Sequence, residues 1–191
     1  LASGVGRPSK ETSGFAEAIP RPSSTKLSGN SATYGGGEET STLVNCLIIS
    51  NTASSCGGGA YYGTLTNCTV TGNSADYGGG AYESALNNCI VYFNTAAIGA
   101  NYYYGTLNYC CTTPRPPDGT GNISADPQLA SAWRLSAASP CRGAGSPVYA
   151  SGTDIDGEAW ASPPAIGCDE YHAGAAPGPL TVAISPSFAY A

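Results

Sequence analysis

The chain has 191 residues, among them 26 Gly, 14 Pro, 13 Tyr and 8 Cys but no Met, and only 10% are Asp, Glu, Lys or Arg, against about a quarter in an ordinary soluble domain. So few charged helix formers exclude a helical bundle, and a 41% apolar share is too high for simple disorder outside the two ends. The formal charge is −6 and no Lys or Arg lies between Lys26 and Arg115, so the basic stripe of a nucleic-acid binder is missing.

No apolar run approaches a membrane span. Leu1 to Gly6 is too short for a signal peptide, and the chain lacks an initiator Met, so a mature or excised piece is expected. Low charge, abundant Ser, Thr, Gly and Tyr, and the cysteine content point to an extracellular or cell-surface protein. Residues 1–26, rich in Pro, Ser and Gly, read as an extended arm or linker.

A repeat follows. Cys46, Cys68, Cys89 and Cys110 are separated by 22, 21 and 21 residues, and each follows a Leu at one offset: Leu43, Leu65, Leu86 and Leu107. Asn30, Asn51, Asn73 and Asn94 keep the same register, with Ala32, Ala53, Ala75 and Ala96 two places on. Gly-Gly-Gly recurs at 35–37, 57–59 and 78–80 and degenerates at Gly99, and the extra residue of the 22-residue interval falls near Cys56. This period belongs to solenoids, and the leucine-rich-repeat frame is absent. The spacing predicts an all-β parallel β-helix of about four coils of 21–22 residues over 27–111.

Each coil is expected to carry three short strands and three corners, with Leu65, Cys68 and Val70 inward and Gly or Asn at the corners, where φ is positive. Equivalent residues stack as ladders, about 4.8 Å apart. Asn30, Asn51, Asn73 and Asn94 form one amide column and Asn45, Asn67 and Asn88 a second, both weighted as structural. Cys46, Cys68, Cys89 and Cys110 read as unoxidised core filler, because side chains in a column point alike; any disulfide is expected among Cys56, Cys111, Cys141 and Cys168. Tyr61, Tyr82 and Tyr103 form a stripe, and Tyr62 aligns with Tyr104. The stripe reads first as structural, and second as a contact for sugar or a partner.

After a Pro/Gly loop over 112–125 come DPQLASAWRLSAASPCRGAG (126–145), TDIDGEAW (153–160) and AIGCDEY (165–171). With LVNCLIISNTASSCGGGAYY (43–62) and LTNCTVTGNSADYGGGAY (65–82), these resemble bacterial right-handed parallel β-helix repeat proteins, extracellular and mostly of unknown function. The resemblance covers roughly 27–172. It implies a right-handed helix and an irregular C-terminal cap ending near 172, although Glu158, Ala159 and Trp160 stand where the family's terminal motif commonly carries an Arg. Residues 173–191 read as a linker and an isolated strand, Leu180 to Ile184.

Candidate chemistry is thin. The coils hold no Lys, Arg or His within them, His172 is the only histidine, and the coil acids Glu38, Glu39, Asp76 and Glu83 share no single column. Lyase, hydrolase and nucleophile chemistry therefore lack their residues, and the expectation is no enzyme, with a polysaccharide lyase or glycoside hydrolase as the alternative. No cofactor is expected. Asp154, Asp156, Asp169 and Glu170 are weak Ca²⁺ candidates, weighed against turn-capping roles. An ice-binding face would need a repeated Thr-x-Thr array, and Thr69-Val70-Thr71 occurs once. Asn67 and Asn122 head N-glycosylation sequons, with loop residue Asn122 the better acceptor. The favoured expectation is a non-enzymatic extracellular structural protein that assembles with copies of itself, end to end or by arm exchange, into a fibre or surface layer. The alternative is a carbohydrate-binding or polysaccharide-cleaving module.

Overall fold

The structure, a computed structural model, describes residues 25–174. The arm expected over 1–26 and the strand expected over 180–184 fall outside these residues, apart from Thr25 and Lys26. The first coil holds β1 (Lys26–Ser28), β2 (Ser31–Tyr34), β3 (Glu38–Glu39) and β4 (Thr42–Val44). The second holds β5 (Leu47–Ile49), β6 (Thr52–Cys56), β7 (Ala60–Tyr61) and β8 (Thr64–Thr66). The third holds β9 (Thr69–Thr71), β10 (Ser74–Tyr77), β11 (Ala81–Tyr82) and β12 (Ala85–Asn87). The fourth holds β13 (Ile90–Tyr92), β14 (Thr95–Ile98), β15 (Tyr102–Tyr103) and β16 (Thr106–Asn108), and β17 (Cys111–Thr112) opens a partial turn beyond it.

Each of these strands pairs in parallel with its equivalent one coil away. The result is four sheets: β1-β5-β9-β13-β17, β2-β6-β10-β14, β3-β7-β11-β15 and β4-β8-β12-β16. We call them the first to fourth faces. The protein is a parallel β-solenoid of about four coils, and no helix among the described residues is long and apolar enough to cross a membrane. The expectation of three strands per coil is corrected to four. The missed strand is the one typified by Ser74–Tyr77, whose short polar sequence carries no apolar alternation. The extra residue of the 22-residue interval lies in β6, where pairing to both neighbours shifts register at a bulge.

The core is built from columns. Leu65, Cys68, Val70, Leu86, Cys89, Val91 and Cys110 are fully buried with Ala60 and Ala81, and Leu27, Leu43 and Tyr102 close the ends less completely. The parity break that puts both Leu65 and Cys68 inside falls at Asn67, whose φ is 49°. All four corners of each coil pass through positive φ, and only one of them requires Gly. At Gly35, Gly57, Gly78 and Gly99, between the second and third faces, a Cβ would sit 2.4–2.6 Å from a backbone carbonyl oxygen. At the corner after the first face, the Cβ of Gly72 would meet nothing closer than 3.8 Å, so Ser50 and Phe93 occupy that corner instead. Thr40, Tyr62, Glu83 and Tyr104 hold the third corner, and Asn45, Asn67, Asn88 and Tyr109 the fourth. The expectation of Gly or Asn at corners is corrected accordingly. A side chain pointing into open space adds only the strain of the left-handed backbone.

The C-terminal segment does not sit across the end of the stack. Loop 113–125 covers part of that end, with Ile123 bridging β17. The chain then returns along the first face. Ser146, Tyr149 and Thr153 bond in turn to the side chains of Asn88, Asn67 and Asn45. Leu135, Cys141, Ala165 and Ile166 pack with Ile90 and Cys111 into a second apolar cluster. The physical reason is the apolar run in Leu47-Ile48-Ile49 and Ile90-Val91-Tyr92. Such strands are apolar on both sides and need a covering layer.

Candidate functional site

The four faces expose different chemistry. The first is covered by the returning segment. The second presents hydroxyls from Ser31, Thr52, Ser74 and Thr95 in one paired row. The fourth presents Thr42, Thr64, Ala85 and Thr106. The third presents tyrosine, and it is the most distinctive surface of the molecule.

Glu39, Tyr61, Tyr82 and Tyr103 lie in register along the third face. Tyr61 stacks on Tyr82 at 5.4 Å between ring centroids with a 25° interplanar angle, and Tyr82 meets Tyr103 at 5.7 Å. Tyr34 extends the row at 5.2 Å from Tyr61, and Tyr77 flanks Tyr103 at 6.0 Å. At the adjoining corner Tyr62 lies edge-on to Tyr61 at 4.6 Å, and Tyr104 lies 4.3 Å from Tyr103. Seven rings thus form one continuous wall. Sequence alignment of columns found five of them; Tyr34 and Tyr77 were missed because they come from the second face and reach the wall only around the Gly35 and Gly78 corners.

The rings in the stripe turn their faces to one another, so Tyr61, Tyr82 and Tyr103 offer edges and hydroxyls outward. Tyr62 and Tyr104, 48% and 63% exposed, are the most open rings of the wall, followed by Tyr34 and Tyr77. Acids stand beside them. Glu83 lies close enough to the phenols of Tyr62 and Tyr82 to raise the pKa of both. The Tyr82 phenol is pushed up to about 12, by desolvation first and by the Glu83 charge second. Beside Tyr104, a cleft of about 460 Å³ opens between the last coil and loop 113–119, lined by Tyr102, Leu107, Pro116, Pro117 and Asp118 among others.

The asparagine columns have distinct partners. In the first, Asn51 Oδ1 accepts from both the backbone N–H and the Nδ2 of Asn30, and Asn73 and Asn94 repeat this toward Asn51 and Asn73. Each Nδ2 also donates to a carbonyl of the previous coil: Leu27, Ile48 or Val70. Asn101 supplies the last rung from the position of the third Gly, accepting from Asn94 and donating to Thr113. The sequence signal for it was the Gly-to-Asn change where the glycine run degenerates. The second column faces outward and holds the returning segment.

All eight cysteines are free thiols. Cys68, Cys89 and Cys110 each donate to the carbonyl two residues before and to one in the previous coil. Cys46 donates to Val44. Cys111 donates to the Ala125 carbonyl, and the neighbouring Cys141 thiol first, with burial second, raises the Cys111 thiol far above its ordinary range.

Of the four acids weighed for Ca²⁺, three serve the backbone and Asp156 pairs with an arginine. Asp154 accepts from the N–H groups of Asp156, Glu158 and Glu170. Glu170 accepts from Ala161, Ala165 and Tyr171, and Asp169 from Leu135. Arg134 pairs with Asp156 and reaches toward Asp169. Among the described residues no group of three or more His, Cys, Asp or Glu is arranged for a metal ion. Asn122 is 4% exposed, and its Nδ2 donates to Leu107 and Asp118, so the folded chain presents that nitrogen to no glycan. Among the coil acids, Glu38 is buried while Glu39 and Asp76 are exposed on different faces. No family model, curated protein or solved structure matches this chain.

Proposed function

We propose that the chain is a non-enzymatic, extracellular structural β-solenoid whose copies associate end to end into a fibre or surface layer; its resemblance to bacterial right-handed β-helix repeat proteins bears on the fold and not on this role. The observation that carries this reading is the state of the terminal coil. Ala53 and Ala75 are 3% and 8% exposed, whereas Ala32, at the same column position in the first coil, is exposed. Leu65 and Leu86 are sealed while Leu27 and Leu43 are half-buried. Strands β1 to β4 each pair on one side only among the described residues. An apolar end with four unpaired strand edges is a template for strand addition, and a head-to-tail contact that does not close gives a filament. The sparsely charged outer faces of the coils add little repulsion.

The test is light scattering and negative-stain microscopy of the chain beside Ala32→Lys, which places a charge on the open end. Filaments from the parent chain and monomers from an equally folded variant support the proposal. A parent chain that stays monomeric at high concentration sinks it.

The cleft beside Tyr104 favours one second reading, the binding of a neutral saccharide. An exposed aromatic ring and proline walls suit the C–H face of a sugar, and Asp118 and Thr106 suit its hydroxyls. Calorimetry against neutral oligosaccharides, with Tyr104→Ala as the control, decides it. Reducing-end release from pectin, alginate or xylan distinguishes cleavage from binding.

A further inference from the structure

The tyrosine wall has a feature that neither packing nor assembly requires. Tyr103 and Tyr104 have ring centroids 4.3 Å apart, an interplanar angle of 55°, and hydroxyl oxygens 3.5 Å apart. Two phenols joined carbon to carbon, each beside its hydroxyl, have centroids separated by two ring radii and one bond. Their hydroxyls lie side by side, and the rings are twisted out of plane. The unlinked rings overlap at a tilt rather than lying edge to edge, but they are in contact with their hydroxyls adjacent, so coupling calls for a rotation of the rings and not for an approach of the two residues.

We propose that Tyr103 and Tyr104 are an oxidative modification site, where a peroxidase with hydrogen peroxide joins the two rings as dityrosine. The peroxide supplies the oxidising equivalents and is reduced to two waters. Each phenol loses one electron and its hydroxyl proton. The two ring radicals couple at the carbons next to their oxygens, and the hydrogens displaced at the new bond return to the oxygens as the rings regain aromaticity. The net change is the loss of two hydrogens from the chain.

The rest of the wall feeds this pair. Tyr34, Tyr61, Tyr82 and Tyr103 stand at successive separations of 5.2, 5.4 and 5.7 Å, so a radical formed along the row has a ring in contact at every step. Glu83, at the same corner column as Tyr62 and next to Tyr82 in the chain, is the nearby carboxylate that can take a proton when either phenol is oxidised. Tyr104, at 63% exposure, is the ring most open to an oxidant and the freest to close the remaining gap. Preset geometry is what lets an intramolecular coupling outrun encounters between molecules.

The experiment is treatment with peroxidase and hydrogen peroxide at a dilution below any self-association, read by dityrosine fluorescence and by peptide mass mapping. The expected product is a monomer two hydrogens lighter, with the link between Tyr103 and Tyr104. Tyr104→Phe, an exposed and conservative change, is expected to abolish that link, and Tyr82→Phe to slow it by interrupting the row. The edge-to-face pair Tyr109 and Tyr149, at 6.4 Å, is the internal control and should stay unlinked. Links scattered over the wall, links only between molecules, or a Tyr109–Tyr149 link at equal yield would each overturn the proposal. Because the reaction is read on the monomer, its failure is independent of whether copies assemble.

Discussion

The coils and the segment that returns along their first face are held together in opposite ways. In the coils each contact is repeated: an amide rung, a paired strand and a stacked glycine run recur at every turn, so a rung in the middle is bonded from both sides. In the returning segment each contact occurs once. Three asparagine side chains and one small apolar cluster attach the segment to the solenoid, and carboxylates of Asp154, Asp169 and Glu170 cap turns within the segment itself. Repetition gives the coils redundancy, and the segment has none. Local opening should therefore begin in the segment.

The largest effects should come from the middle of the coils. A Cβ at Gly58 would lie 2.4 Å from the carbonyl oxygens of both Ser74 and Gly79, and backbone on two sides cannot yield. Gly58→Ala should cost more than about 4 kcal/mol, in the range reserved for severe steric or buried-polar defects. Asn73→Ala should cost about as much, since it strips partners from the Asn51 amide groups and from the Ile48 carbonyl at about 1–3 kcal/mol each. Urea unfolding measures both. A loss below about 1 kcal/mol at either site would break the idea that the coils are the rigid half.

Glu38 sharpens the comparison from the charge side. Its Oε2 accepts from Ser41, its Oε1 is buried without a partner, and the side chain fills the space beside Gly63 where any Cβ would collide. Desolvation raises its pKa from 4.5 to about 7. The folded pKa exceeds the unfolded one, so its stabilisation is complete below about pH 4.5 and is lost as pH rises through 7. The loss amounts to at most about 3 kcal/mol. Asp169 in the returning segment is raised to about 7 as well, again by burial first, and moves stability in the same direction. Chemical melts at pH 4 and pH 8 should differ accordingly, and Glu38→Gln should remove the part that belongs to the coils.

Asn88→Gly tests chiefly the attachment, with one coil rung, from Asn88 Nδ2 to Asn67 Oδ1, lost beside it. Gly keeps the left-handed backbone at this corner, while the amide that donates to the Ser146 carbonyl and accepts from its N–H is lost. The cost should be about 3 kcal/mol for three buried hydrogen bonds, two of them to Ser146. Hydrogen exchange should speed up near Ser146 while amides of β9 and β10 stay protected. Equal loss of protection in both places would mean that coils and segment form one cooperative unit.

The same contrast explains what was legible in the sequence. The period, the inward Leu and Cys columns and the first Asn column follow from register alone, because each residue recurs where its physical job recurs. The fourth strand did not follow, since Ser74–Tyr77 shows no apolar alternation, and the bulge in β6 hid its register. The path of the returning segment was written only in Leu47-Ile48-Ile49 and Ile90-Val91-Tyr92, strands apolar on both faces. Its carboxylates looked like cation ligands because Asp-rich turns and Ca²⁺ loops share composition; which one forms depends on where the backbone N–H groups point. The tyrosine wall was visible as a column, but two of its rings arrive around a corner, which a one-dimensional period cannot show.

The smallest effect separates backbone strain from packing. Gly152 lies in the returning segment at a φ of 68°, and a Cβ there would meet nothing within 4 Å. Gly152→Ala therefore adds only the cost of placing an L side chain in the left-handed region, about 1 kcal/mol. Gly152→Asn should cost less, because its short polar side chain tolerates that conformation. The identical chemical change at Gly58 adds the collision with two carbonyls to any change in backbone preference. The difference between the two alanine variants in urea unfolding thus reads out how tightly each region's backbone is enclosed. If Gly152→Ala were as damaging as Gly58→Ala, the segment would be packed as closely as the coils, and the contrast between repeated and single contacts would fail.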